Sequence, residues 1–365
     1  MEHFGFPLET IVIFFVVIFA SVYLDLVAHK NVKEITLGDA AKWAVFWIGL
    51  ALCFYAYVWL RFSKDWADLY LAGYVLEKSL SVDNLVVFIA IFVSFGIKSH
   101  LQHRILYWGI LGALVFRAIF VKIGTALFLA SPWVGFIFAV VVFWSAIQML
   151  KSGDDEEEIE DYSNHRSVRW TGKLLPIYTR LHFERFFVKH KEILGNDSGA
   201  ENKIVTRSGI LYATPAFLCL MVIETSDIAF SFDSVPAVIS VTQEPLLVYA
   251  AMIFAILGLR TLYFVIAALN RYLAHLEKAV IALLFFIAAK IALQSWNNMA
   301  RWSAPEDWRW PPFSSVARFF NQHIKPVFID TGFDISPGQS LTVIVSVLLI
   351  GMIASVIFPE KREAA

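Results

Sequence analysis

Residues 74–88 read Y-V-L-E-K-S-L-S-V-D-N-L-V-V-F, and residues 222–236 read V-I-E-T-S-D-I-A-F-S-F-D-S-V-P. Both stretches lie inside long apolar blocks, yet between them they carry five acids: Glu77, Asp83, Glu224, Asp227 and Asp233. The blocks around them run for about twenty residues or more, the length that spans a bilayer as a helix. The whole chain is 58% hydrophobic and 17% charged, against about 25% charged residues in an ordinary soluble domain. That composition excludes a soluble enzyme, a disordered chain and a disulfide scaffold. With 30 basic and 31 acidic residues there is no basic footprint for nucleic acid. Cys53 and Cys219 both sit in apolar blocks and read as packing residues.

The pattern predicts an all-α membrane protein of nine spans, over 6–28, 38–61, 68–95, 104–130, 132–150, 209–241, 246–269, 278–296 and 338–358. Glu2 and Glu9, with no Lys or Arg, accompany the first span, so it reads as a retained span with an outside N-terminus rather than a cleaved signal. With that orientation nineteen Lys and Arg fall on inside loops and six on outside loops, which agrees with the positive-inside rule and puts the C-terminus in the cytoplasm. The chain then divides into a first membrane half (1–150), a cytoplasmic charged loop (151–207), a second membrane half (208–296), an outside Trp/Pro-rich segment (297–337) and a last span with its tail (338–365). The 151–207 loop carries the acidic run D-D-E-E-E-I-E-D over 154–161. Residues 173–191 mix Arg and Lys with Phe and Leu, which suits an amphipathic helix lying on an anionic leaflet. Trp302, Trp308, Trp310, Pro311 and Pro312 suit a short cap on the outer surface.

The intramembrane acids are the informative residues. Each ionised carboxylate at mid-bilayer costs about 2.5–3.5 kcal/mol, so five unpaired ones would cost on the order of 15 kcal/mol, more than the net stability of many domains. Buried ion pairs with Lys78, Arg117, Arg260 and Lys290 explain how the acids are tolerated, but not why they cluster on two helices. The clusters are copies. L-S-V-D-N (80–84) aligns with F-S-F-D-S (230–234), so Asp83 matches Asp233 and Asn84 matches Ser234. The following spans continue the match, with G-A-L-V-F-R around Arg117 and A-I-L-G-L-R around Arg260. The predicted sidedness sends the two copies through the membrane in opposite directions, the inverted repeat of many secondary transporters. Residues six apart on a regular helix point about 120° apart. Asp227 and Asp233 would therefore need a broken helix to meet at one point, and Pro236 suggests a break near 231–234. Carboxylates, a side-chain amide and free carbonyls make an all-oxygen set suited to a hard divalent ion such as Mn²⁺, Ca²⁺ or Mg²⁺.

Y-L-A-G-Y-V-L-E-K-S-L-S-V-D-N-L and Y-A-T-P-A-F-L-C-L-M-V-I-E-T-S-D-I-A-F-S-F-D-S-V-P-A-V resemble the TerC family of integral membrane proteins, as do the segments around Arg117 and Arg260. The likeness covers about residues 66–293. It implies a membrane metal-ion transporter with manganese efflux the leading activity, and a tellurium-resistance association. The implied metal-binding positions are Glu77, Asp83, Asn84, Glu224, Asp227 and Asp233, with Arg117, Arg260 and Lys290 as counter-charges. In two places the chain departs from the family: Ala251-Met252 stand where it commonly has Ser-Asn, and 297–337 replaces a brief link.

The expectation is thus a secondary transporter exporting a divalent cation, Mn²⁺ favoured, in exchange for protons, with no permanently bound cofactor. No G-x-x-x-x-G-K-[ST] motif is present for an ATP-driven pump, and no nucleophile stands with a base for an intramembrane enzyme. The alternative is a non-transporting membrane partner that supplies metal to secretion or belongs to a metal/tellurite stress complex. Expected partners are the bilayer and the metal ion, with a homo-oligomer or a secretion-linked protein left open. The topology predicts that an impermeant thiol reagent labels Asn321→Cys in intact cells and does not reach Asp155→Cys; labelling at 155 from outside would reverse the assigned sidedness.

Overall fold

A computed structural model of the chain describes residues 2–3, 6–28, 37–152, 165–178, 185–190, 210–242, 244–269, 274–301, 319–332 and 334–358. The helices are α1 (Leu8–Ala28), α2 (Leu37–Arg61), α3 (Lys64–Ser94), α4 (Ser99–Ala130), α5 (Pro132–Ser152), α6 (Arg166–Leu174), α7 (Pro215–Thr242), α8 (Pro245–Ile256), α9 (Leu259–Leu269), α10 (Ala274–Arg301) and α11 (Pro337–Ile357). Each of the nine expected segments overlaps a helix. By length and composition, five helices among the described residues are suited to cross a membrane, or six if the bent pair α8–α9 is one span. The long helices α3 and α10 fall outside that set; α3 carries Glu77, Lys78 and Asp83 in its middle, and Lys290 lies within α10.

Local chemistry starts the helices. Ser63 caps α3, its hydroxyl accepting from the Trp66 amide at 3.3 Å. Pro215, Pro245 and Pro337 stand at first helical positions, where the missing N–H costs nothing. A capping box between Ser336 and Gln339 opens α11.

Pro236 does not break α7, contrary to the expectation of a broken helix near 231–234; α7 is helical from Pro215 to Thr242. Proline removes one hydrogen bond but holds φ at a helical value, and Val235, Ala237 and Val238 are buried around it. The break in this half comes one span later. The chain bends by 47° between α8 and α9 at Gly258, whose φ of +78° lies in the left-handed region that favours glycine.

α3 and α7 pack antiparallel. At one end Thr242 donates to the Leu69 carbonyl at 3.2 Å, and Gly73 lies against Thr242, Val238 and Ala251. At the other end Leu85, Phe88 and Phe92 share a core cluster with Ala216, Cys219 and Val222. A larger cluster, with Trp47, Tyr70 and Phe254 among its members, fills the first end. α5 lies along α10, and α4 along α7.

The helix expected over 173–191 is corrected where that stretch is described. Helix α6 ends at Leu174, just before Pro176, and Phe187–Lys189 is a strand paired antiparallel with Leu211–Ala213. The pairing buries Val188 and Tyr212 and sets Phe187 against Phe217, contacts that an isolated surface helix would not make. The acidic run 154–161, Trp302, Trp308, Trp310, Pro311 and Pro312 lie outside the described residues. The end of the Trp/Pro-rich segment folds back on α10: Trp296 donates to the Ile329 carbonyl at 3.0 Å, and Thr331 Oγ1 to Asn297 at 2.9 Å. Phe328 packs on Trp133, Phe136 and Trp296. Arg301 bonds Asp330 at 2.7 Å; that hydrogen bond, joined by one from the Gly332 amide, holds the Asp330 carboxyl below the usual carboxylate range.

Gly258→Ala is predicted to destabilise the protein by about 1–3 kcal/mol, the cost of a non-glycine residue in this region, aggravated because a Cβ there meets the Trp47 side chain. Thermal melting in detergent measures it; an unchanged melting temperature would refute the assigned bend.

Candidate functional site

Arg117, from α4, is 2% exposed at the meeting of α3, α4 and α7. Its Nη2 donates to Asp227 Oδ1 at 2.7 Å and its Nε to Asp227 Oδ2 at 3.3 Å. Its Nη1 pairs with Glu77 of α3, which is fully buried. The planar fork of arginine suits this bridging geometry, and its charge persists when buried. Glu224 lies one turn before Asp227 on α7, and its carboxylate rests where a side chain at Gly112 of α4 would stand. Gly112 thus provides close approach rather than an unusual backbone angle.

A separate cavity of about 570 Å³ opens between the two core clusters. Asp83 and Asn84 line it from α3, and Asp233 and Ser234 from α7. These are the matched positions of the two sequence copies, brought to one space by antiparallel packing. Ser145 of α5 donates to Asp233. Gln148 of α5 and Glu277 of α10 complete the polar lining, beside Trp144, Phe230 and Phe232. Asp83 Oδ2 is buried with no hydrogen-bond partner among the described residues.

The six expected metal positions therefore do not converge on one point. Glu77 and Asp227 are held by Arg117, Glu224 stands beside them, and Asp83, Asn84 and Asp233 face the cavity. Among the described residues no three His, Cys, Asp or Glu groups are close enough to hold one ion. A straight α7 keeps Asp227 and Asp233 on different faces, which is the physical reason. Of the expected counter-charges, Arg117 has that role for Glu77 and Asp227. Arg260 is buried at the start of α9. Lys290 is buried on α10 and does not line the cavity. Met252, at one departure from the family pattern, is buried in the larger core cluster and does not reach the cavity.

Sequence reasoning missed Ser145, Gln148 and Glu277. Glu277 sits just before the eighth expected span, where an acid reads as an ordinary interfacial residue. Ser145 and Gln148 carry no signal in an apolar stretch, because only tertiary packing turns α5 toward α7.

These helices, with carboxylates and an arginine at their centre, define an integral, multi-pass α-helical membrane protein. The chain belongs to the TerC family: residues 62–363 match the family described as integral membrane protein TerC family. It is 45% identical over 366 residues to the tellurium resistance protein TerC of Serratia marcescens, covering 99% of this chain and 97% of that one. It is 33% identical over 287 residues to an uncharacterized membrane protein of Myxococcus xanthus, covering 78% of this chain and 84% of that one. It is also 32% identical over 286 residues to Alx of Salmonella typhi, named as a candidate membrane-bound redox modulator, covering 76% and 83%. No solved structure matches the chain.

Arg117→Met leaves Glu77 and Asp227 buried without their cation, and breaking such a pair costs about 3–5 kcal/mol. The variant is expected to yield little folded protein by size exclusion in detergent. Adding Glu77→Gln and Asp227→Asn to it should restore much of the yield. No recovery in the triple variant would mean that Arg117 acts through packing rather than charge.

Proposed function

We propose that the protein is a secondary transporter that exports a divalent cation, Mn²⁺ favoured, through the cavity between α3 and α7. One observation carries this reading: Asp83 and Asp233, matched positions in two copies of one motif on antiparallel helices, face the same intramembrane space. Asn84, Ser234, Ser145, Gln148 and Glu277 add oxygen donors around it, the ligand type hard divalent ions prefer. The antiparallel pair is consistent with an inverted repeat and with alternating access around a central site. On this reading the ion passes Asp83, Asp233 and Glu277 along the cavity wall rather than being held by all three at once, while Glu77, Arg117 and Asp227 hold the three helices together. Glu224 lies between the two groups in role, reaching the ion only as the helices move.

Carboxylates must be deprotonated to bind metal, so metal outward is exchanged for protons inward. The protein belongs in the inner (plasma) membrane, with the N-terminus outside and the C-terminus in the cytoplasm. The names of the relatives speak of tellurium resistance and of redox modulation, and they favour a second reading: a non-transporting membrane partner in a metal or tellurite stress complex.

Flux into proteoliposomes containing the purified chain alone separates the two readings. Mn²⁺ flux coupled to opposite proton movement is expected from the wild type. Asp83→Asn and Asp233→Asn should each lower it by about tenfold or more, because affinity for hard ions is tuned by ligand charge, while both variants still insert. Wild-type flux from either aspartate variant would remove the cavity from the pathway; no flux from the wild type would favour the partner reading.

A further inference from the structure

The bend between α8 and α9 carries a polar arrangement that neither the Arg117 cluster nor the cavity uses. In an unbroken helix the carbonyls of Ala255 and Leu257 would each accept from the amide four residues on. The chain instead turns at Leu257 and Gly258, and α9 leaves at 47°. Both carbonyl oxygens accept from Lys78 Nζ, at 2.9 Å for Ala255 and 3.4 Å for Leu257. Lys78 reaches them from α3, adjacent in the chain to Glu77 of the Arg117 cluster. The two oxygens stand at the C-terminal end of α8, where the helix dipole concentrates about half a negative charge. Carbonyls at the broken ends of membrane helices are general binding points for alkali cations.

We propose that the α8–α9 bend is a monovalent-cation seat and that the Lys78 ammonium fills it as a tethered ion. The acceptors touching Lys78 are neutral carbonyls, which match a single positive charge; a divalent ion would need anionic ligands to offset its dehydration. Removing the side chain beyond Cβ would leave both carbonyls facing a space into which Na⁺ or K⁺, with water completing its shell, can enter. A chain built this way needs no free alkali ion at the bend, because the cation is covalently attached. That consequence for coupling rests on the export reading; the seat rests on the geometry alone.

The test uses the full purified chain and a readout independent of transport. Wild type and Lys78→Ala are purified in parallel in NaCl, KCl and choline chloride at equal ionic strength, and melted in detergent. Wild type should melt at the same temperature in all three salts. Lys78→Ala should melt lower than wild type in choline and rise saturably by about 3 °C or more in Na⁺ or K⁺, as mass action on a native-state site requires. Lys78→Gln, whose amide still donates to the carbonyls, should fold and show a smaller rise. Equal melting of Lys78→Ala in all salts would overturn the proposal. So would its failure to fold in any of them, since an ion able to fill the seat would have supported the variant. Either result leaves metal export untouched, and a failure of export in proteoliposomes leaves the seat untouched.

Discussion

The structure depends on how a low-dielectric interior accommodates charge. Two ionised carboxylates on different helices are costly to bury beside each other without a cation, and a guanidinium that bridges both also ties their helices together. Arg117 does this for Glu77 and Asp227. Its grip sets the rotation of α3 and α7 about their own axes. Once those rotations are set, the residues six positions further on, Asp83 and Asp233, point about 120° away. That direction is the cavity. One interaction thus determines which acids are structural and which face open space.

The same 120° offset has opposite consequences under two assumptions. If all the acids must meet at one ion, the helix has to break, and Pro236 is the natural place. The helix stays whole, so the acids serve two places instead of one. Proline is compatible with helical φ and needs only one carbonyl relieved of its partner. Glycine at positive φ reverses the local backbone direction, and Gly258 does so where α8 meets α9. The carbonyls exposed by that bend need a donor, and Lys78 supplies it from the motif helix itself. Adjacent residues of α3 therefore hold two different parts of the second half: Glu77 reaches α7 through Arg117, and Lys78 reaches the α8–α9 bend.

The membrane class, the helical segments and the two acidic copies were legible in the sequence, because the bilayer imposes length and apolarity on a span whatever its neighbours are. The identity of the unusual residues was legible for the same reason, since a carboxylate at membrane depth carries a cost visible without coordinates. How those residues divide was not. Glu77 and Asp83 look equivalent in a string of letters, and only the position of Arg117 on α4 separates them. Lys290 and Arg117 likewise look like equal counter-charges until packing brings Arg117 to Asp227 and leaves Lys290 away from the cavity. Ser145, Gln148 and Glu277 join the site because α5 and α10 pack against α7, and the strand at 187–189 forms because Leu211–Ala213 lies beside it. Spans and acids follow from the solvent each residue must face, which the sequence encodes locally; partners follow from which faces meet, which only the tertiary structure decides.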